Sequence, residues 1–172
     1  MKKLAVLPIL LAISITFTGC FWSSITGKST IKTNDGTVTT DKNGIEVKSN
    51  DGSTTSVNTG DSKGTSLPEG YPKDIVPVID GAKIVMSAKN QDANKKVTFV
   101  IALESKKEVT EAGKFYKDVM ENAEEKVESE VNNWISIGGK KAKYNVLIMV
   151  SDNPSDSSMK SLITISIEPI TE

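Results

Sequence analysis

The chain has no histidine, no arginine and a single cysteine among its 172 residues. Without imidazole or a second thiol there is no Ser-His-Asp triad, no Cys/His zinc set and no intramolecular disulfide. All 21 basic residues are lysines, so the guanidinium fork that pairs phosphate and carboxylate bidentately is missing. A formal net charge of −1 offers no basic footprint for nucleic acid, and an aromatic share of 5% leaves few stacking platforms. Nucleic acid is therefore not an expected partner, and no residue pattern calls for a cofactor or metal.

What is present begins with a secretory signal. Met1-Lys2-Lys3 is a positive n-region, Leu4 to Phe17 is nearly all apolar, and Thr18-Gly19 are small residues directly before Cys20. The apolar stretch is shorter than the ~20 residues of a spanning helix, which favours a cleaved signal over a membrane span. Phe17-Thr18-Gly19-Cys20 resembles the lipobox of bacterial lipoproteins, with Phe17 where leucine is commonest. The resemblance implies that residues 1–19 are a signal peptide and that Cys20 carries a diacylglyceryl group as the first mature residue. It also implies that the protein is held on the extracytoplasmic side of the cell membrane, the first expected partner. Two acyl chains, at about 0.8 kcal/mol per buried methylene, make a stable lipid anchor without a spanning helix. Phe21 and Trp22 either rest among the headgroups, where aromatic rings are favoured, or simply begin a tether. Loss of Lys2 and Lys3 takes the formal charge from −1 to −3, so nothing draws the body onto anionic lipid.

Residues 20–66 read as the lipidated cysteine and a tether. Gly36, Gly44, Gly52 and Gly60 recur every eight residues, and Ile31 to Gly44 aligns with Val47 to Gly60. Asn34-Asp35-Gly36, Asn43-Gly44 and Asn50-Asp51-Gly52 are hairpin-turn signals, because these residue types tolerate positive φ. Short Thr/Val/Ile runs between them suit strands. Ile31, Val38, Ile45, Val47 and Val57 are nearly the only apolar side chains, too few to offset backbone ordering at about 1–2 kcal/mol per residue. The segment is thus expected as a weak β-meander leaning on a neighbour, or as a flexible spacer that proteases trim. Asp41-Lys42-Asn43-Gly44 is also like a fragment of a calcium loop, but the later acidic ligand is absent and an Asx-Gly turn explains the same residues.

Residues 67–172 carry the globular pattern. Pro68, Pro72 and Pro77 favour an extended path, with Tyr71, Ile75 and Val78 available to pin it to a core. Strands are predicted over Lys83–Lys89 (Ile84 and Met86 on one face), Lys96–Glu104, Val127–Ile137, Ala142–Ser151 and Met159–Glu168. In the third, Val131, Ile135 and Ile137 are expected on one side, with Gly138-Gly139-Lys140 as the following tight turn. Ser105 to Glu108 has the form of a capping box opening a helix to about Glu125, whose buried face holds Val109, Ala112, Tyr116, Val119, Met120 and Ala123. The order β-β-α-β-β-β predicts an α+β fold: an antiparallel sheet of about five strands with one helix on one face, preceded by the weak hairpin repeats.

One helix covers one side of such a sheet. The other side is expected to present Val100, Ala102, Trp134, Leu147 and Met149, a candidate interaction face unless a loop, the proline segment or the repeats cover it. Tyr71-Pro72-Lys73-Asp74, Val76-Pro77, Asp80-Gly81-Ala82-Lys83 and Phe115-Tyr116 make most of Leu67–Thr171 similar to a small domain found in lipoproteins of Gram-positive bacteria. That resemblance implies location and fold, with no established chemistry.

Catalysis needs a group of suitable pKa beside a partner. The densest carboxylates, Glu121, Glu124, Glu125, Glu128 and Glu130, read as a solvated surface, and Ser105/Lys106 and Ser161/Lys160 are adjacent only in sequence. Ser158 to Ser161 departs from the S-x-x-K pattern, and a KTG element is missing. The expectation is a non-enzymatic, lipid-anchored binding or interaction module whose partner is an envelope protein, a wall polymer or a small ligand. The alternative is a structural or spacer lipoprotein with no ligand of its own.

Overall fold

Thr, Ser and Val alternate between the Asn/Asp-Gly turns of the N-terminal third, and each run is a strand: β1 (Ser29–Thr33), β2 (Gly36–Asp41), β3 (Gly44–Ser49) and β4 (Thr54–Thr59). The computed structural model describes residues 27–153 and 158–170, so the signal, Cys20, Phe21 and Trp22 lie outside the described residues. Carboxylates organise the turns. Asp41 Oδ1 accepts hydrogen bonds from the backbone N–H of Asn43 (2.8 Å) and Gly44 (3.1 Å), and Asp51 Oδ1 accepts one from Ser53 (2.8 Å). The Ser53 backbone N–H, helped by the Ser53 side chain, holds the Asp51 carboxyl below its ordinary pKa.

The remaining elements are β5 (Lys83–Gln91), β6 (Val97–Ser105), α1 (Val109–Val119), β7 (Glu124–Val131), β8 (Trp134–Lys141), β9 (Tyr144–Asp152) and β10 (Ser161–Pro169). All ten strands form one sheet, ordered β1-β2-β3-β4-β5-β6-β10-β9-β8-β7, with every pair antiparallel. This corrects the expected sheet of about five strands. The repeats do not precede the sheet; β4 pairs with β5 from Thr54↔Gln91 to Thr59↔Met86 and extends it. The gain is clear physically, because five apolar side chains need bury little once the ladder is templated on an existing strand.

The sixth body strand arises where one strand was predicted. Val127–Ile137 is split by a turn at Asn132, which takes φ 52°, a left-handed conformation that asparagine tolerates. Val131 therefore pairs with Trp134 on the outer side, away from Ile135 and Ile137. Gly138 and Gly139 are not a turn but the middle of β8, and the chain reverses after Lys141 with Ala142 at φ 53°. Glycine serves close approach at position 139, where a β-carbon would fall 3.1 Å from the Glu124 carbonyl oxygen. A bulge between Ile84 and Met86 likewise puts these two side chains on opposite faces, one opposite Leu103 and the other opposite Ala102.

The helix ends at Val119 rather than near Glu125, and its N-cap Glu108 makes no side-chain capping bond. The predicted capping box is not formed because Ser105 belongs to β6, where its Oγ accepts from the Lys107 N–H at 3.1 Å. The main core lies between the helix side of the sheet and a layer made of α1 and the Leu67–Ala82 segment. Ile101, Leu103, Ile137, Ile148, Ile163, Ile165 and Ile167 meet Ala112, Tyr116 and Met120 there. Tyr71, Val76 and Ile79 are the side chains that the proline segment adds to the core, the last two one residue out of phase with the expected Ile75 and Val78, which are half-buried. Tyr71 packs edge-on to Phe99 (ring centroids 5.9 Å apart) and donates a hydrogen bond to the Val76 carbonyl at 3.0 Å.

Candidate interaction face

Antiparallel partners share a sheet face, so the register alone fixes which side chains stand together. One row crosses all ten strands: Ser29, Thr40, Ile45, Val57, Ala88, Val100, Ser166, Leu147, Gly138 and Val127. It lies on the side away from α1, since Ile101, Ile148 and Ile165 point the other way into the core. A neighbouring row runs Met86, Ala102, Thr164, Met149, Ser136 and Ser129. The next joins Leu162, Ser151, Trp134 and Val131.

The predicted candidates Val100, Leu147, Met149 and Trp134 thus share one face, although they are not one contact. Leu147 and Met149 alternate along β9, Trp134 projects from β8, and Val100 on β6 is separated from Leu147 by Ser166 of β10. Val100 and Met149 are half-buried, whereas Trp134 is 39% and Leu147 42% exposed. Two residues missed from sequence complete the cluster: Val127 (68% exposed) and Val131 (58%) on edge strand β7. Their alternation with Lys126, Glu128 and Glu130 was a readable signal once β7 was recognised as its own strand.

The apolar side chains of the repeats are part of the same face. Ile31 stands opposite Val38, Val38 opposite Val47, and Ile45 opposite Val57. The sheet is therefore buried on its helix side in the body, whereas the repeats turn Thr, Ser, Lys and Glu to that side. The repeats extend the plane rather than lying over the candidate face, and the proline segment packs on the helix side with Tyr71, Val76 and Ile79.

Charges flank the face but do not enter its centre. Lys83 pairs with Glu104 (3.4 Å) at one end, and Lys96 with Glu168 (2.8 Å) at the other. Between them β6, β10, β9 and β8 offer only Val, Ala, Leu, Thr, Ser, Met, Gly and Trp outward.

Several of the groups weighed for chemistry are occupied structurally. Ser161, fully buried, donates from Oγ to the Lys107 carbonyl at 2.9 Å and faces Ser105 across the ladder. The glutamate run is not helical. Glu130 binds Lys117 (2.7 Å), Glu128 binds Lys126 (2.7 Å) and Glu125 binds Lys140 on or beside β7. The hydrogen bond that Lys117 donates to the Glu130 carboxylate raises the Lys117 pKa above its ordinary value. Among the described residues no group of three or more Cys, Asp or Glu is placed to hold a metal ion, and no helix is long and apolar enough to cross a membrane. Comparison with family models, with curated proteins and with solved structures finds no match to this chain.

Proposed function

We propose that this chain is a membrane-anchored extracytoplasmic lipoprotein that works as a non-catalytic binding module of the cell envelope. Its outer sheet face docks on another envelope protein. The observation that carries this reading is the charge-free centre of that face, with Trp134, Leu147, Val127 and Val131 exposed and ion pairs only at its ends. An apolar centre with tryptophan and methionine inside a polar rim is the anatomy of a protein–protein interface. The lipobox resemblance of Phe17-Thr18-Gly19-Cys20 supports the anchor. Cys20 precedes Ser29 by nine residues, a reach of at most about 30 Å, so an acylated Cys20 holds the sheet close to the membrane.

Two measurements test the two halves. Cys20→Ala is expected to release the protein or leave uncleaved precursor; a cleaved Cys20→Ala form retained in the membrane overturns the anchor. A photo-crosslinker at the exposed Ser129 is expected to trap a discrete envelope protein in whole cells, and Leu147→Asp to abolish that adduct while the fold persists. An adduct pattern indifferent to Leu147→Asp overturns the docking face.

A further inference from the structure

We infer that an open cleft on the helix side of the sheet, at the end closed by the β5–β6 turn, is a binding site for phosphodiester anions. The cleft has a volume of about 580 Å³ and is separate from the outer face. Besides Lys96, three lysines from different elements line it: Lys89 on β5, Lys95 in the β5–β6 turn and Lys143 in the β8–β9 turn. None of the three has a carboxylate partner among the described residues, whereas nine other lysines are ion-paired. In a chain of formal charge −1 this is a local excess of positive charge.

The nearby acids do not cancel it. Asp92 Oδ1 is engaged by the backbone N–H of Asn94 (2.9 Å) and Lys96 (2.8 Å), which fixes the turn that carries Lys95. Glu168 is taken by Lys96 at 2.8 Å. Two carboxylates, Glu69 and Asp92, line the cleft with no bonded cation among the described residues, against four lysines. The floor is apolar, made by buried Phe99 with Val97 and the half-buried ring of Tyr144. The Lys143 Nζ stands 5.6 Å from the centroid of that ring, so a cation and an aromatic face are presented together.

Separated ammonium groups around an apolar floor suit a ligand of single negative charges spaced by carbon, as in a glycerol-phosphate chain. Lysine binds phosphate as a point charge and needs no bidentate geometry, which fits a protein with no arginine. The carbons between phosphates would lie on Tyr144 and Val97 while Lys89, Lys95 and Lys143 take the oxygens. Such phosphodiesters occur both in wall polymers and in lipid headgroups, and the same three lysines would serve either.

The test uses the full chain in neutral detergent, titrated with glycerol-phosphate oligomers. In parallel, the full chain is mixed with phosphatidylglycerol vesicles and read against phosphatidylcholine vesicles. Lys89→Gln combined with Lys143→Gln is expected to weaken binding at least tenfold, whereas Lys106→Gln, exposed and outside the cleft, should leave it unchanged. Raising salt is expected to weaken the wild type more than the double variant. Binding to the oligomer alone assigns the polymer as source, and binding to the anionic vesicles alone assigns the headgroup. No binding to either, or equal affinity of the double variant, overturns the site. Leu147→Asp should not alter these titrations, so failure here is separable from failure of the outer docking face.

Discussion

Gly113 of α1 lies so close to Ile135 of β8 that a β-carbon at position 113 would overlap the Ile135 Cδ1 methyl. Mid-helix glycine is intrinsically less favourable than alanine by about 1 kcal/mol, so close helix-to-sheet packing must compensate here. Gly113→Ala is expected to destabilise the protein by about 1–3 kcal/mol through overpacking, lowering the melting temperature by several degrees. Adding Ile135→Val, which removes the obstructing methyl, should recover part of that loss in a double-mutant cycle. A Gly113→Ala protein melting at or above the wild-type temperature would show that the helix stands off the sheet.

Leu147 and Ile148 are neighbours on β9 with opposite surroundings, 42% and 0% exposed. Ile148→Asp puts an unpaired carboxylate into the core, at a cost of several kcal/mol, and is expected to abolish the cooperative melt. Leu147→Asp should change stability by no more than about 0.5 kcal/mol, as for an ordinary surface position. Comparable effects of the two would mean that the outer face is covered.

This alternation is the part of the fold most legible in the sequence. Ile163, Ile165 and Ile167 against Thr164, Ser166 and Glu168, and Val146, Ile148 and Val150 against Leu147 and Met149, match the observed faces directly. The errors are single-residue events that invert parity. The bulge beside Ile84 moved Met86 to the outer face, and the Asn132 turn moved Val131 there and created an additional strand. The glycine pair at 138 and 139 drew the turn to the wrong place, since glycine also marks close approach within a strand. Trp134, Leu147, Met149 and Val100 were legible as one face. Val127 was missed because its strand was, and Val131 because that strand was joined to β8. The pairing of β4 with β5 is a contact between segments some thirty residues apart, as from Thr55 to Asn90, and no local pattern in either strand encodes it.

Tyr71 and Tyr116 set the behaviour in alkali. Burial raises both hydroxyl pKa values well above the ordinary value; proximity to Tyr116 adds to the shift of Tyr71, while the bond from the Ile79 N–H opposes that of Tyr116. The unfolded chain ionises these groups near pH 10, the folded chain only higher. Their neutral forms therefore stabilise the fold fully below pH 10, and that contribution is lost as pH rises beyond it. Phenolate absorbance of these two rings should appear together with the loss of tertiary structure, not before it. Tyr116→Phe leaves the Ile79 N–H without its partner, and an expected loss of about 1–3 kcal/mol at neutral pH checks that bond separately.

Integration of the repeats into the sheet predicts a protease pattern opposite to that of a tether. Residues 29–59 are held by continuous ladders, by the Thr55 Oγ1–Asn90 Oδ1 hydrogen bond (2.8 Å) and by Val57 standing opposite both Ile45 and Ala88. Limited proteolysis should leave one fragment containing both the repeats and the body. Val57→Asp places a carboxylate between two apolar neighbours of the ten-strand row and is expected to loosen β1 to β4 from β5. Cleavage should then appear within residues 36–66, while a fragment from about residue 67 onward persists, because its core draws nothing from the repeats. Ready cleavage of the wild-type chain between Gly36 and Gly60 would show that the repeats do not remain docked on β5 in solution.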